Sequence, residues 1–221
     1  MKVSYTINGI DFTTYGVKVS GSKGLIDALK MKDPEKITWP DHHGEAVDLA
    51  APRYESREIT LECWIKAANS TAFIIAVQSF VAAFQTAGLQ RLMVDVNDDS
   101  PSRKPLVYQV YLQDEISVSK RWNPAKMTGT FTLKLREPEP VKRVYSFTAV
   151  TGTMTVTMAV TTDEPVNIYW GDGSDDLNAD TSSGTISHTY SAAGTYYIII
   201  TGVIEDITLV TTTATLVWSR F

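Results

Sequence analysis

The sequence predicts a mainly β chain: two β-rich units in tandem, the first carrying a single packed helix. Three observations predict it. Alternating apolar and polar runs recur along the chain and are punctuated by turn pairs such as Asn8-Gly9 and Asp172-Gly173. One stretch, Ser70 to Gly88, switches to helical spacing. Composition also breaks near Pro140: residues 1–140 hold 17 Lys+Arg and 17 Asp+Glu, whereas 141–221 hold 3 against 8, so the net charge of -5 falls in the second part. That part is dense in Thr, Val and Ile, whose branched side chains fit a pleated surface. A length of 221 residues accommodates one large or two small domains, and the coincident breaks favour two.

The first unit, 1–136, opens with a hairpin over Val3 to Val19. Ser4 to Ile7 alternates, Asn8-Gly9 is a strong two-residue turn signal, and Ile10 to Val19 returns with Gly16 as a bulge. Ser20 to Pro52 has scattered Gly, Pro, Asp and His with weak periodicity, and reads as a long excursion with a short helix at Gly24 to Lys30. Glu58 to Ile65 alternates as a strand with one buried face. Ser70 then serves as an N-cap, and Phe73, Ile74, Val77, Phe80, Val81 and Phe84 recur at helical spacing, giving a helix at about 70–87 with Gly88 as its stop. Strands follow at Leu89 to Val96, Leu106 to Leu112 extended by Glu115 to Ser119, and Met127 to Leu135, with Asn97 to Pro101 as a polar turn. The expected architecture is a β-sandwich or barrel with the helix covering a sheet face.

Glu137-Pro-Glu-Pro140 begins a Pro-rich linker over 137–143. Alternate prolines favour extended, semi-rigid chain, so the second unit, 144–221, is expected to stand away from the first. In that unit Asn167-Ile-Tyr-Trp-Gly-Asp-Gly-Ser174 is a strand entering a tight turn, and Gly194 marks a second turn before the alternating run Tyr196 to Ile200. The final segment, Thr215 to Phe221, reads as a closing strand. With His188-Thr-Tyr190 ahead of Gly194, the stretch resembles the signature of a PKD domain. The resemblance implies an Ig-like β-sandwich in which Trp170, Gly171, Asp172, Gly173, His188, Tyr190, Gly194 and Tyr196 have structural roles.

The first unit also carries a resemblance. Tyr5-Thr-Ile-Asn-Gly-Ile-Asp-Phe12, the Gly-containing return to Val19, a polar loop, Tyr54-Glu-Ser-Arg-Glu-Ile-Thr-Leu61 and the helix ending Phe84-Gln-Thr-Ala-Gly88 resemble the N-terminal domain of phage distal tail and tail-tube-like proteins. It covers about residues 1 to 136 and lies in element order rather than in a fingerprint. It implies a self-assembling ring, commonly a hexamer, at the junction of tail tube and baseplate, with other tail and baseplate proteins as partners and the second unit displayed outward. The PKD-like module stands where many relatives carry a different β-rich domain. An arm through Lys32, Trp39, His42, His43 and Glu45 would reach the neighbouring subunit, since so long a polar loop is costly to order alone.

Other chemistries find little footing. Asp41-His42-His43-Gly44-Glu45 has metal-ligating residue types, but neighbours on extended chain point apart, and an exposed loop or subunit contact is the stronger reading. Asp172, Asp175, Asp176, Asn178 and Asp180 form an acidic loop whose spacing differs from that of an EF-hand, so a solvated turn outweighs a calcium site. Cys63 is the only cysteine, which excludes an intrachain disulfide; its strand flanks suggest a buried small hydrophobe. There is no Gly-x-Ser-x-Gly elbow, three histidines leave little choice of base, and Gly21-Ser-Lys-Gly24 is too short for a P-loop. Carboxylate pairs such as Asp114-Glu115 or Glu137 with Glu139 carry no sign of a glycosidase arrangement. The sequence implies no enzyme, no cofactor and no nucleic-acid partner, for want of clustered Lys and Arg.

The opening residues lack an apolar leader core, and no stretch approaches about 18 apolar residues, so neither a signal peptide nor membrane insertion is expected. PKD-like modules belong mostly to surface and secreted proteins; a virion tail protein, made in the bacterial cytoplasm and released by lysis, reconciles the two. The competing expectation is a non-catalytic cell-surface module binding a carbohydrate or protein, with the second unit presented to a host-surface glycan or protein. Among the tryptophans, Trp64 and Trp170 lie in strand patterns, whereas Trp122, in the polar turn Lys120-Arg-Trp-Asn-Pro124, is the candidate exposed aromatic.

Overall fold

Asn8 and Gly9 both take positive φ, as a tight hairpin turn requires, and join β1 (Lys2–Ile7) to β2 (Ile10–Asp11). The computed structural model describes residues 2–97, 104–123, 126–179 and 184–221. The return strand is shorter than its sequence suggests. Asp11 caps a 3-10 turn, Phe12–Tyr15, and left-handed Gly16 ends that turn rather than forming a bulge. The chain then leaves for another strand partner as β3 (Val17–Lys23).

The helix expected at Gly24 to Lys30 is absent, because its backbone groups are already engaged. The Asp27 carboxylate accepts from Gly24 N–H at 2.8 Å, while Arg57 and Tyr108 donate to the Leu25 carbonyl at 2.7 and 2.8 Å. The excursion instead forms a small hairpin of β4 (Lys36–Ile37) and β5 (Ala46–Val47). Next come β6 (Arg57–Ala67) and α1 (Ser70–Ala82). The helix is capped by Asn69, not Ser70: Asn69 has extended backbone and its side-chain oxygen accepts from Ala72 N–H at 2.8 Å. It also stops a turn earlier than the apolar spacing indicates, with Phe84 packing from beyond the helix end.

There follow β7 (Gln90–Asn97), β8 (Leu106–Leu112), β9 (Ser119–Arg121) and β10 (Met127–Glu137). β8 does not extend through 115–118; the chain leaves it and returns as β9 along β10. Of the polar turn read at Asn97 to Pro101, residues 98–101 lie outside the described residues, as does Pro124. The sheet order is β2-β1-β7-β8-β10-β6-β3, with β9 beside β10. β8 and β10 meet only at Leu135↔Leu112 and Arg136↔Tyr111, and there the sheet folds over. Its halves share one core, with Ile7, Leu92 and Val110 from one side and Leu61, Ile65 and Leu133 from the other. Phe80 of α1 closes one end, meeting Phe12, Tyr15, Phe84 and Phe131.

The second sandwich comprises β11 (Lys142–Ala149), β12 (Thr155–Thr161), β13 (Val166–Tyr169), β14 (Asp175–Ala179), β15 (Ile186–Thr189), β16 (Gly194–Thr201), β17 (Leu209–Thr212) and β18 (Thr215–Trp218). A sheet ordered β14-β13-β16-β11-β18 faces one ordered β15-β12-β17 across a core that includes Phe147, Met158, Ile168, Trp170, Tyr190 and Ile198. β18 is thus an edge strand, hydrogen-bonded to β11.

The two sandwiches are not held apart. Val107 on the outer face of β8 is buried with Val144, Tyr169, Ile199 and Val217 in a cluster of its own. The Pro-rich segment cannot act as a spacer because its carboxylates tie it down. Glu139 accepts from Asn167, Tyr169 and Thr201 at 2.8 to 3.0 Å, and buried Glu137 pairs with Lys142 across the prolines. Extended backbone fixes the linker's stiffness; the side chains fix its direction.

Candidate functional site

The sequence-predicted residues fall into two places that do not meet. Lys32, Trp39, His42, His43 and Glu45 lie on the arm formed by the β4–β5 hairpin, and every one of them is exposed. The arm is anchored at its base by Lys32 N–H to the Arg53 carbonyl and Glu55 N–H to the Lys30 carbonyl, each 2.8 Å, and by the Lys30–Glu55 ion pair at 3.1 Å. At its tip the Trp39 and His42 rings lie 5.9 Å apart, and His42 Nδ1 is 3.1 Å from the Asp41 carboxylate. His42 and Asp41 thus satisfy each other locally, and among the described residues no group of three or more His, Cys, Asp or Glu is placed to hold a metal ion. The arm also exposes apolar side chains: Trp39 is 46% and Leu49 55% accessible, and Ile37 and Val47 are exposed beside them. A two-stranded hairpin with these residues in water has no core of its own.

The second group converges in the second sandwich. Gly171 and Gly173 take positive φ in the turn after β13, closed by Trp170 N–H to the Ser174 carbonyl at 3.1 Å. Asp172 accepts from Ser174 N–H and hydroxyl at 3.0 and 2.5 Å, and its other oxygen lies 2.8 Å from His188 Nε2. Partial burial pushes the Asp172 carboxyl up, but those hydrogen bonds outweigh it and hold the group below the usual carboxylate range. His188 stacks on Trp170 at 5.0 Å, meets Tyr190 edge-on at 4.7 Å, and Tyr190 stacks on Tyr196 at 3.8 Å. The Tyr190 hydroxyl donates to the Trp170 carbonyl at 2.9 Å, and Gly194 begins β16. The Trp170 indole N–H is spent on Asp176 at 2.8 Å. These groups are engaged with one another, which suits a locked turn. Of the residues read as an acidic loop, Asp175, Asp176 and Asn178 lie instead in the strand β14, paired with β13, and Asp180 lies outside the described residues.

Trp122 is 53% accessible and meets Phe73 edge-on at 5.7 Å. Cys63 is buried against the Leu61 carbonyl, and burial pushes its thiol up to about 12, far from a thiolate nucleophile. Among the described residues no helix is long and apolar enough to cross a membrane.

Sequence reasoning missed the seam between the sandwiches. Arg91 of β7 donates to the Tyr197 and Tyr169 carbonyls of the second sandwich, and Gly171 leaves room for it: a Cβ there would meet the guanidinium at 2.7 Å. Beside it Glu137 lies between Lys142 and Arg57, all three buried, with Tyr108 and Phe221 against both cations. The one signal available was an acid and a base at either end of a Pro-x-Pro segment. Trp218 Nε1 donates to the Pro105 carbonyl and Lys104 to the Val217 carbonyl, at 3.0 and 2.7 Å, and Phe221 packs on the first core.

No family model matches the chain, and a search of curated proteins finds no match. Among solved structures it is similar to the Dit protein (gp 19.1) of SPP1, described as a paradigm of the hub adsorption apparatus in phages that infect Gram-positive bacteria. Identity is 14% and the TM-score 0.48, over 89% of this chain and 79% of that one. It is also similar to the phage p2 baseplate in its activated conformation with Sr, at 8% identity and TM-score 0.47, over 91% of this chain and 99% of that one. The structure of the same baseplate with Ca gives the same values. Likenesses this weak say nothing of what the chain binds or does.

Proposed function

We propose that this chain is a non-catalytic structural protein of a phage or prophage tail, in which the first sandwich assembles into a ring with other copies and the second is a PKD-like module carried on its outside. The observation that carries the reading is the arm: a hairpin anchored at its base, bearing exposed Ile37, Trp39, Val47 and Leu49 with no core beneath them. Such a hairpin gains order and loses exposed apolar surface when it lies on a neighbour. The order of elements in residues 1–136, which resembles distal tail proteins, gives the assembly its class, and a hexamer at the tube–baseplate junction is the form that class favours. The locked Trp170–Asp172–His188–Tyr190 turn supports a scaffold role for the second sandwich.

Light scattering behind size exclusion tests this. The full chain is expected to run as a discrete species near six protomers, and deletion of residues 32–48 to abolish that species with unchanged circular dichroism of the sandwiches. An unchanged assembly after the deletion refutes the arm. A second reading, a cell-surface carbohydrate-binding module, rests on exposed Trp122 as a sugar platform. It predicts glycan binding that is lost in Trp122→Ala.

A further inference from the structure

The outer face of the β3–β6–β10–β9 half-sheet carries cations without counter-ions. Its register places Lys18 opposite Trp64, and Lys66 and Arg121 on either side of Thr128. Strands lie about 4.8 Å apart, so Lys66 and Arg121 project from backbones about 10 Å apart. Lys120 and Lys126 border the same end of the sheet, and all five cations are exposed. None of the five forms an ion pair among the described residues, whereas Lys134 on the lower part of that face pairs with Asp114 at 2.8 Å. Glu62 is the nearest carboxylate along β6, and its side chain lies over Gly21. Lys18 Nζ sits 5.4 Å from the half-buried Trp64 ring, so cation and indole form one surface.

The second sandwich supplies the opposite charge but cannot reach this face in its own chain. It packs on the outer side of the other half-sheet, through Val107 of β8 and Arg91 of β7. Residues 141–221 carry 3 basic against 8 acidic side chains, while residues 1–140 are balanced overall. The loops β12–β13 and β16–β17 meet where Thr208 N–H donates to the Thr161 carbonyl at 3.0 Å, and they hold Asp163, Glu164 and Asp206, exposed and in no ion pair among the described residues. One molecule therefore presents a cationic, tryptophan-bearing face on one side and an anionic module on the other.

We propose that the Lys18–Trp64–Lys66–Arg121 face docks the acidic second sandwich of a second copy. The contact is heterologous, one patch against a different patch, so it propagates head to tail and closes only if the rotation allows. Its charges steer encounter and weaken with salt. It is distinct from the arm contact of the proposed ring, though both bring copies of the chain together.

Sedimentation velocity of the full chain at 50 and 500 mM NaCl separates the two. Self-association is expected to weaken at least tenfold at the higher salt. The triple variant Lys18→Glu/Lys66→Glu/Arg121→Glu is expected to lose the salt-sensitive part, as is Asp163→Lys/Glu164→Lys/Asp206→Lys. Mixing the two variants should restore it, because the reversed faces then match; all six positions are exposed, and unchanged melting of each variant checks the fold. Association that is indifferent to salt and to reversal overturns this contact and leaves the arm intact. Salt-sensitive association that survives deletion of residues 32–48 upholds this contact independently of the arm. A chain that stays monomeric at 50 mM NaCl but binds polyphosphate through Lys66 and Arg121 overturns the second-copy assignment in favour of a polyanion.

Discussion

Lys142 holds the least comfortable charge in the molecule. It and Glu137 are almost without solvent contact, and Arg57 lies against the same carboxylate at 3.1 Å, so two cations share one anion. Such a group is costly to bury and costlier to leave half paired. Burial pushes the Lys142 ammonium down to about 8 from 10.5, against the attraction of Glu137. Between those values the unfolded chain holds a proton that the folded chain has released, so stability rises with pH through that window. Cys63 opposes this above pH 9, since burial keeps its thiol protonated to about 12 in the folded state. Buried Tyr108, Tyr169 and Tyr190, all pushed up mainly by burial, add to the fall above about pH 10. The urea midpoint is therefore expected to rise from pH 8 to 9, then flatten and decline. Lys142→Met, which leaves Glu137 paired with Arg57 alone, should abolish the rise while keeping the decline. An equal rise in the variant would place the titrating group elsewhere.

The start of α1 offers a sharper test of where local signals end and tertiary ones begin. Asn69 and Ser70 are both good cap residues, and the sequence favours Ser70 only through its place before the apolar run. The backbone decides for Asn69, whose extended conformation aims its side-chain oxygen at Ala72 N–H. Asn69→Ala should cost about 1 kcal/mol, whereas Ser70→Ala, inside the exposed first turn, should stay within about 0.5 kcal/mol. Thermal or urea unfolding of the pair reads this directly, and equal losses would refute the Asn69 cap. The strands β6 and β10 were legible because each buries one face, so alternation survives in Ile59, Leu61, Cys63 and Ile65 and in Phe131, Leu133 and Leu135. The Asn8-Gly9 and Asp172-Gly173 turns were legible because positive φ restricts the residue choice. The expected helix at Gly24 to Lys30 failed for a reason no local window contains: Arg57 and Tyr108, distant in sequence, claim the Leu25 carbonyl. The arm residues could be read as exposed from polarity, but the buried ion group at the seam could not, since charged residues usually read as surface.

Two sandwiches joined by a short linker ordinarily move as separate bodies unless the surface between them is apolar and well packed. Here Val107, Val144, Tyr169, Ile199 and Val217 form a buried cluster at the seam, and Arg91 is spent on carbonyls of the partner sandwich. The last residues reinforce the joint: Phe221 N–H donates to the Lys142 carbonyl at 3.1 Å while the ring packs on the first core beside Tyr108. Unfolding either sandwich would expose this cluster and strand the buried charges, so the two should unfold together. Scanning calorimetry of the full chain is expected to show one transition whose calorimetric and van't Hoff enthalpies agree. Val107→Asp would place an unpaired carboxylate in the apolar cluster without touching the interior of either sandwich. That variant should separate into two transitions, the second sandwich melting independently of the first. Removing Leu216 to Phe221 should do more damage, because it takes the edge strand from β11 and the Phe221 ring from the first core at once. Two transitions already present in the unaltered chain would mean that the seam adds no shared stability and that each sandwich melts as its own cooperative unit.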